Sequence, residues 1–137
     1  MNNPDNEKMV IVMRRDLGMK KGKMVAQAAH AATKVFFDRI INAVDNQDGT
    51  TDVTIRMTSD MRKWQKGIFT KICLRADSEE ELLSVYREAL EAGLPACLIT
   101  DSGLTVFNGV PTNTCAAIGP AKNEEIERIT GHLSWMS

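Results

Sequence analysis

The chain has 137 residues, 43% of them hydrophobic and 26% charged, with a formal net charge of −1 at pH 7. That size and apolar share suit one domain with one core, expected to span residues 1–137. No run approaches the roughly 20 apolar residues of a membrane span, and the polar stretch 2–7 has neither the basic start nor the apolar block of a secretory signal.

The three cysteines, Cys73, Cys97 and Cys115, are odd in number and far apart, which argues against a disulfide framework and against a CxxC metal pattern. A reduced cytoplasmic setting is expected. Charge is unevenly placed. Residues 8–39 carry eight Lys/Arg against two Asp and residues 55–75 six against one, whereas 76–137 carry three against ten. The basic segments have the charge to hold a polyanion, and equally suit ordinary solvated faces.

In chain order, residues 9–13 (MVIVM) are a continuous apolar run of strand length, as expected of a strand covered on both faces. Residues 21–41, rich in Ala, Met, Gln and Lys, predict the clearest helix. Residues 42–54 are polar, contain Asp-Gly and show no sustained period, so they read as a surface excursion before a short helical piece near 59–65. A second strand is predicted over 68–74. A helix over 78–92 follows, with Asp77 or Ser78 as N-cap, Leu82, Leu83, Tyr86 and Leu90 at helical spacing, and Gly93 as its stop. Residues 96–100 (ACLIT) predict a third strand, 112–118 a fourth, and 123–130 a final helix ended by Gly131. The order is β-α-β-α-β-β-α. Helical crossovers make the first three strands parallel, and the short third link permits a reversal. The fold class is therefore α/β, a small mixed sheet between helix layers.

In open α/β sheets ligands bind beyond the carboxyl ends of the parallel strands. After the first strand comes a basic, glycine-containing loop, residues 14–23, that opens a helix whose free N–H groups and dipole favour phosphate. On that helix Lys23, Gln27, His30 and Lys34 fall within a stripe of roughly 60°, with Val25, Ala29, Ala32 and Phe36 on the other side. For this helix taken alone, a plain solvated stripe is favoured over a binding face, because exposed Lys and Gln are common. His30, beside a run of Ala, reads as a partly buried, hydrogen-bonded histidine rather than a metal ligand, since no second His on the helix completes a pair. Asp101 ends the third strand, where a carboxylate can orient water or pair with Lys23 across the crevice, although Asp-Ser-Gly also forms turns by itself. Neither His is placed to activate Ser102, and the cysteines fall inside strands.

Several ordered segments together resemble the archaeal and eukaryotic type of peptidyl-tRNA hydrolase. These are KKGKMVAQAAHAA over 20–32, the first strand and loop over 9–17, the W-x-x-G segment from Trp64, DSGLT over 101–105, AIGP over 117–120 and TGHL over 130–133. The resemblance spans nearly the whole chain except about 42–58, which reads as an insertion. It implies a three-layer α/β/α fold whose four-stranded mixed sheet has its last strand antiparallel, and a cofactor-free ester hydrolysis with no metal. By position it implies Lys23, Gln27 and Asp101 in catalysis, with Arg15, Lys20, Lys21, His30 and Thr105 near the substrate. The implied partners are peptidyl-tRNA and a second copy of the chain in a homodimer. Two departures stand out. Ala29 occupies a position where some relatives have Ser, which weakens a serine-nucleophile mechanism, and 108–114 (NGVPTNT) replaces the family's P-x-G-[ST] with one extra residue. The expected reaction is direct water attack on the ester of peptidyl-tRNA. A non-catalytic RNA-binding module, and a hydrolase of another acylated nucleotide, remain the alternatives.

Overall fold

The computed structural model describes residues 6–104 and 106–137. The first strand, β1 (Glu7–Arg14), is buried along almost its whole length, as its unbroken apolar run requires. It lies between two neighbours. It pairs in parallel with β4 (Lys71–Ala76), from Met9 opposite Lys71 to Arg14 opposite Ala76, and antiparallel with β6 (Thr112–Lys122). β5 (Ala96–Asp101) pairs antiparallel with the far side of β6. The sheet order is β4-β1-β6-β5, with the last strand antiparallel to the other three, as expected for a mixed α/β sheet.

Alternate residues of β1 face opposite layers. Met9, Ile11 and Met13 pack with Ala31 and Val35 of α1 (Lys21–Phe37) and Trp64 of α2 (Ser59–Lys66). Val10 and Val12 pack with Leu82, Val85 and Ala89 of α3 (Glu79–Glu91) and with Ile126 and Ile129 of α4 (Asn123–Thr130). The helix starts are chemically marked. Thr58 caps α2 by accepting from the Met61 N–H at 3.0 Å, and Ser78 caps α3 by accepting from the Glu81 N–H at 3.1 Å. Gly93, at φ 74°, ends α3 in the left-handed region its lack of a Cβ permits.

The two sheet edges differ. Outside β4 the C-terminal segment completes hydrogen bonds: the Arg75 N–H donates to Ser134 O at 2.9 Å and the Met136 N–H to Cys73 O at 3.1 Å. Among the described residues no strand pairs with the outer edge of β5.

Four expectations need correction. The first helix ends at Phe37, not residue 41. Residues 42–54, read as a patternless excursion, lie within an antiparallel hairpin, β2 (Ile40–Asp45) and β3 (Thr51–Ile55). Its Asp48-Gly49 turn is closed by the Asn46 N–H on Thr50 O at 2.7 Å. Every β2 side chain is exposed, so neither the alternation of a half-buried strand nor a buried run was there to be read. β4 begins at Lys71, because Phe69 has φ 40° and cannot continue an extended strand, although Ile68 and Phe69 have strand composition. Finally, the fourth strand, β6, runs on to Lys122 rather than ending at residue 118.

Candidate functional site

β1 and β5 end, and β6 and α1 begin, at one edge of the sheet, so residues remote in sequence meet there. Lys23, in the first turn of α1, donates from Nζ to Oδ1 of Asp101, the last residue of β5, at 2.9 Å. Gln27, one turn further along α1, donates from Nε2 to the same oxygen at 3.3 Å. The other carboxylate oxygen accepts the Gly103 N–H at 2.9 Å. Gly103 has φ +81°, and a Cβ there would lie 2.4 Å from Val110 O, so this turn requires glycine.

Gln27 is 2% exposed and Thr114 0%. The Thr114 hydroxyl donates to Gln27 Oε1 at 2.6 Å, and Cys115 Sγ donates to the Gln27 backbone carbonyl at 3.3 Å. With Oε1 occupied as an acceptor, the Gln27 amide is oriented so that its NH2 faces Asp101. Thr114 reaches Gln27 from a β-bulge: Ile99 pairs with Cys115 and Thr100 with Asn113, leaving Thr114 between partners.

The hydrogen bond from Lys23, followed by that from the Gly103 N–H, holds the Asp101 carboxyl below its ordinary pKa. It is therefore an ionised, weakly basic group at neutral pH. Its side chain is 13% exposed and that of Lys23 18%, so water and substrate have access to a pair largely shielded by protein. The Lys23 ammonium also lies 5.9 Å from the centroid of the Phe107 ring. Phe107 and Asn108 belong to a single 3-10 turn, both at positive φ, which takes up the departure at 108–114 before β6 begins at Thr112.

The expected residues separate into groups. Lys23, Gln27 and Asp101 converge. Arg15, Lys20 and Lys21 are exposed on the loop beside them, where α1 begins with no side-chain cap. Arg14, read as part of that basic loop, instead turns inward. Its guanidinium donates to Asp16 Oδ2 at 2.6 Å and to Asn113 O at 3.1 Å, tying the end of β1 to the start of β6. The bond to Asp16 raises the Arg14 pKa, and the same bond lowers that of Asp16. His30, expected to be partly buried, is exposed and lines a groove between α1 and β5. Thr105 lies outside the described residues.

The polar face assigned to α1 was also misjudged. Gln27 shares the buried stripe with Ala31 and Val35, while Val25 is 69% exposed. The start of the helix overhangs the polar sheet edge, so its inner face there meets Asp101 and Thr114 rather than apolar side chains. Thr114 and Gly103 were missed as functional candidates. The only signal for Thr114 was a lone hydroxyl beside the small and apolar run CAAI.

Cys97 and Cys115 are buried and Cys73 half-buried. Burial raises all three thiol pKa values, Cys115 being pushed up to about 12, so each stays protonated at neutral pH and is a poor nucleophile. Among the described residues no group of three or more His, Cys, Asp or Glu is placed to hold a metal ion.

Residues 7–136 match the family model described as peptidyl-tRNA hydrolase PTH2. The chain is 42% identical to the peptidyl-tRNA hydrolase of Methanocaldococcus jannaschii, over 92% of this chain and 96% of that protein. It is 37% identical to the peptidyl-tRNA hydrolase of Aeropyrum pernix, over 92% of this chain and 93% of that one. Among solved structures, a protein of unknown function from Agrobacterium tumefaciens has a similar fold, with a TM-score of 0.59 at 12% identity over 96% of this chain and 98% of that one.

Proposed function

The chain belongs to the peptidyl-tRNA hydrolase PTH2 family, and from that premise we propose that it cleaves the ester of peptidyl-tRNA by direct attack of a water molecule oriented by Asp101. The observation that carries this mechanism is that Lys23 and Gln27 converge on one oxygen of Asp101.

Water bound to the carboxylate is aimed at the ester carbonyl. Because the Asp101 pKa is lowered, its main contribution is to orient and polarise that water, with strong proton abstraction disfavoured. As the water oxygen bonds to the carbonyl carbon, negative charge develops on the carbonyl oxygen, and the Lys23 ammonium stabilises it. Collapse breaks the bond to the ribose oxygen, which takes up one of the two protons of the attacking water, and the other passes to solvent. The products are a peptide carboxylate and tRNA with a free terminal hydroxyl. Gln27, fixed by Thr114, holds the Asp101 carboxylate in place. No covalent enzyme intermediate is formed, in keeping with three thiols that burial keeps protonated.

The tRNA phosphates bind Arg15, Lys20, Lys21 and the uncapped start of α1. The protein acts in the cytoplasm as a homodimer, with residues 1–137 as one domain carrying the hairpin as an insertion. The hairpin supports the dimer. Ile41, Val44 and Val53 are each about half exposed, its tip bears Asp45, Asp48 and Asp52, and Arg39 and Arg56 lie at its base. Two-fold pairing of hairpins sets each acidic tip against the other's basic base.

The test is release of free peptide by the purified protein from peptidyl-tRNA, compared with aminoacyl-tRNA, in buffer containing EDTA. Turnover of the peptidyl substrate is expected to persist under these conditions, since no metal donor cluster is formed among the described residues. Binding of tRNA without release would make the chain an RNA-binding module. Loss of turnover restored by zinc would overturn the cofactor-free reaction.

A further inference from the structure

Next to the Lys23–Asp101 pair, a groove of about 690 Å³ runs between α1 and β5, lined by Ala29, His30, Thr33 and Phe37 on the helix and by Leu98 to Thr100 on the strand. Its strand wall ends one residue short of Asp101. That wall belongs to an edge strand with no strand partner on its outer side among the described residues. By strand geometry, alternate residues of β5 direct N–H and C=O groups to that side.

The charges of the two flanks differ. On the α1 N-terminal side lie exposed Arg15, Lys20 and Lys21. In the groove Lys34 is paired with Asp38 at 2.8 Å, so the groove carries little net charge. Its helix wall includes the exposed Phe37 ring. An ester that joins a polyanion to a neutral chain would therefore find matching surfaces on either side of the reacting group. RNA phosphates suit the basic flank, and a peptide suits the neutral one.

Building on the proposed hydrolysis, the geometry points to the groove as the binding site for the peptide part of the substrate, held as an added strand on the outer edge of β5. The direction follows from the chemistry. The peptide's last carbonyl is the one under attack at Asp101, and β5 also runs toward Asp101, so the peptide lies parallel to β5. Main-chain hydrogen bonds along an edge give affinity independent of side-chain identity, as an enzyme acting on peptides of varied sequence requires. The wall formed by Leu98 to Thr100, at roughly 3.3 Å per residue, accommodates about three peptide residues beyond the ester.

The experiment compares kcat/KM for N-acetyl-aminoacyl-tRNA with that for peptidyl-tRNAs of two to six residues, in the wild type, Thr33→Trp and Leu104→Asp, each confirmed folded by thermal melts. In the wild type kcat/KM is expected to rise roughly tenfold up to about four residues, the size of one or two net hydrogen bonds, and then level off. Thr33→Trp fills the groove from an exposed helix position and is expected to bring the long-to-short ratio close to 1. N-methylation of alternate peptide amides is expected to do the same with the enzyme unaltered. A wild-type ratio independent of length, or a Thr33→Trp ratio equal to that of the wild type, would overturn the peptide site while leaving the hydrolase reading intact. So would loss of the ratio in Leu104→Asp alone, which would place the peptide beside Leu104. Failure of the wild type to cleave any of the substrates would overturn both.

Discussion

At the carboxyl edge of the sheet the polar side chains of Gln27 and Thr114 are 2% and 0% exposed, whereas on the hairpin the apolar side chains of Ile41, Val44 and Val53 are 52%, 51% and 49% exposed. Both regions run against the usual sorting of polar and apolar groups, in opposite directions. At the sheet edge the side-chain polar atoms of Gln27 and Thr114 each have a named partner, so little of their desolvation cost is left uncompensated, and the groups are held in one geometry. On the hairpin nothing comparable offsets the exposure, and a two-stranded ribbon is marginal alone. The first arrangement suits chemistry that needs fixed groups, and the second suits a surface that another molecule covers.

The largest effect is expected where those fixed groups touch the reaction. Lys23→Ala and Asp101→Ala should each lower single-turnover kcat by on the order of 10²-fold or more. The double variant should lose much less than the product of the two, since the proposed mechanism has both groups serve one step. Near-wild-type rates in both single variants, with intact melts, would remove the distinction between a built site and a chance cluster. In the proposed mechanism the same carboxylate sets the acid side of the pH dependence. Its folded pKa is depressed, so the active ionised form persists as pH falls and is lost only on passing the lowered value. The acid limb attributable to Asp101 in kcat/KM should thus lie below the ordinary aspartate value of about 3.9. The stability it contributes is present above that ordinary value and lost over the same acid window.

Next in size is the support of Gln27. Thr114→Val keeps the shape but leaves Gln27 Oε1 without its donor, and should cost about 1–3 kcal/mol of stability in denaturant melts, with a smaller fall in kcat than Asp101→Ala. Thr114→Ser should restore both, and failure to do so would reduce Thr114 to a packing residue. A smaller change is expected from Arg15→Ala, Lys20→Ala and Lys21→Ala. Each should raise KM and flatten the slope of log affinity against log salt by about 1. Slopes equal to wild type in all three would place the tRNA elsewhere. The smallest effect on chemistry is expected on the hairpin. Val53→Asp should leave kcat within about twofold while shifting sedimentation from dimer toward monomer. An unchanged sedimentation profile would show that a second copy does not cover the hairpin.

What the sequence determined by itself was whatever depends on neighbours along the chain. Residues 9–13 had to be a strand covered on both faces, a cap at Asp77 or Ser78 and a stop at Gly93 bounded α3, and the ordered motifs from Met9 to Leu133 carried the family and, with it, Lys23, Gln27 and Asp101 as candidates. Only the tertiary structure decided which face of α1 is inner, since periodicity separates polar from apolar positions but cannot show that the start of this helix overhangs a polar edge. There Gln27 is buried and Val25 is not. The bulge that turns Thr114 toward Gln27 is set by the pairing of β5 with β6 and leaves no local mark in either strand. The hairpin was illegible for a related reason. Strand patterns come from burial on one face, and β2 buries neither, so its pairing with β3 became visible only when the two were placed side by side.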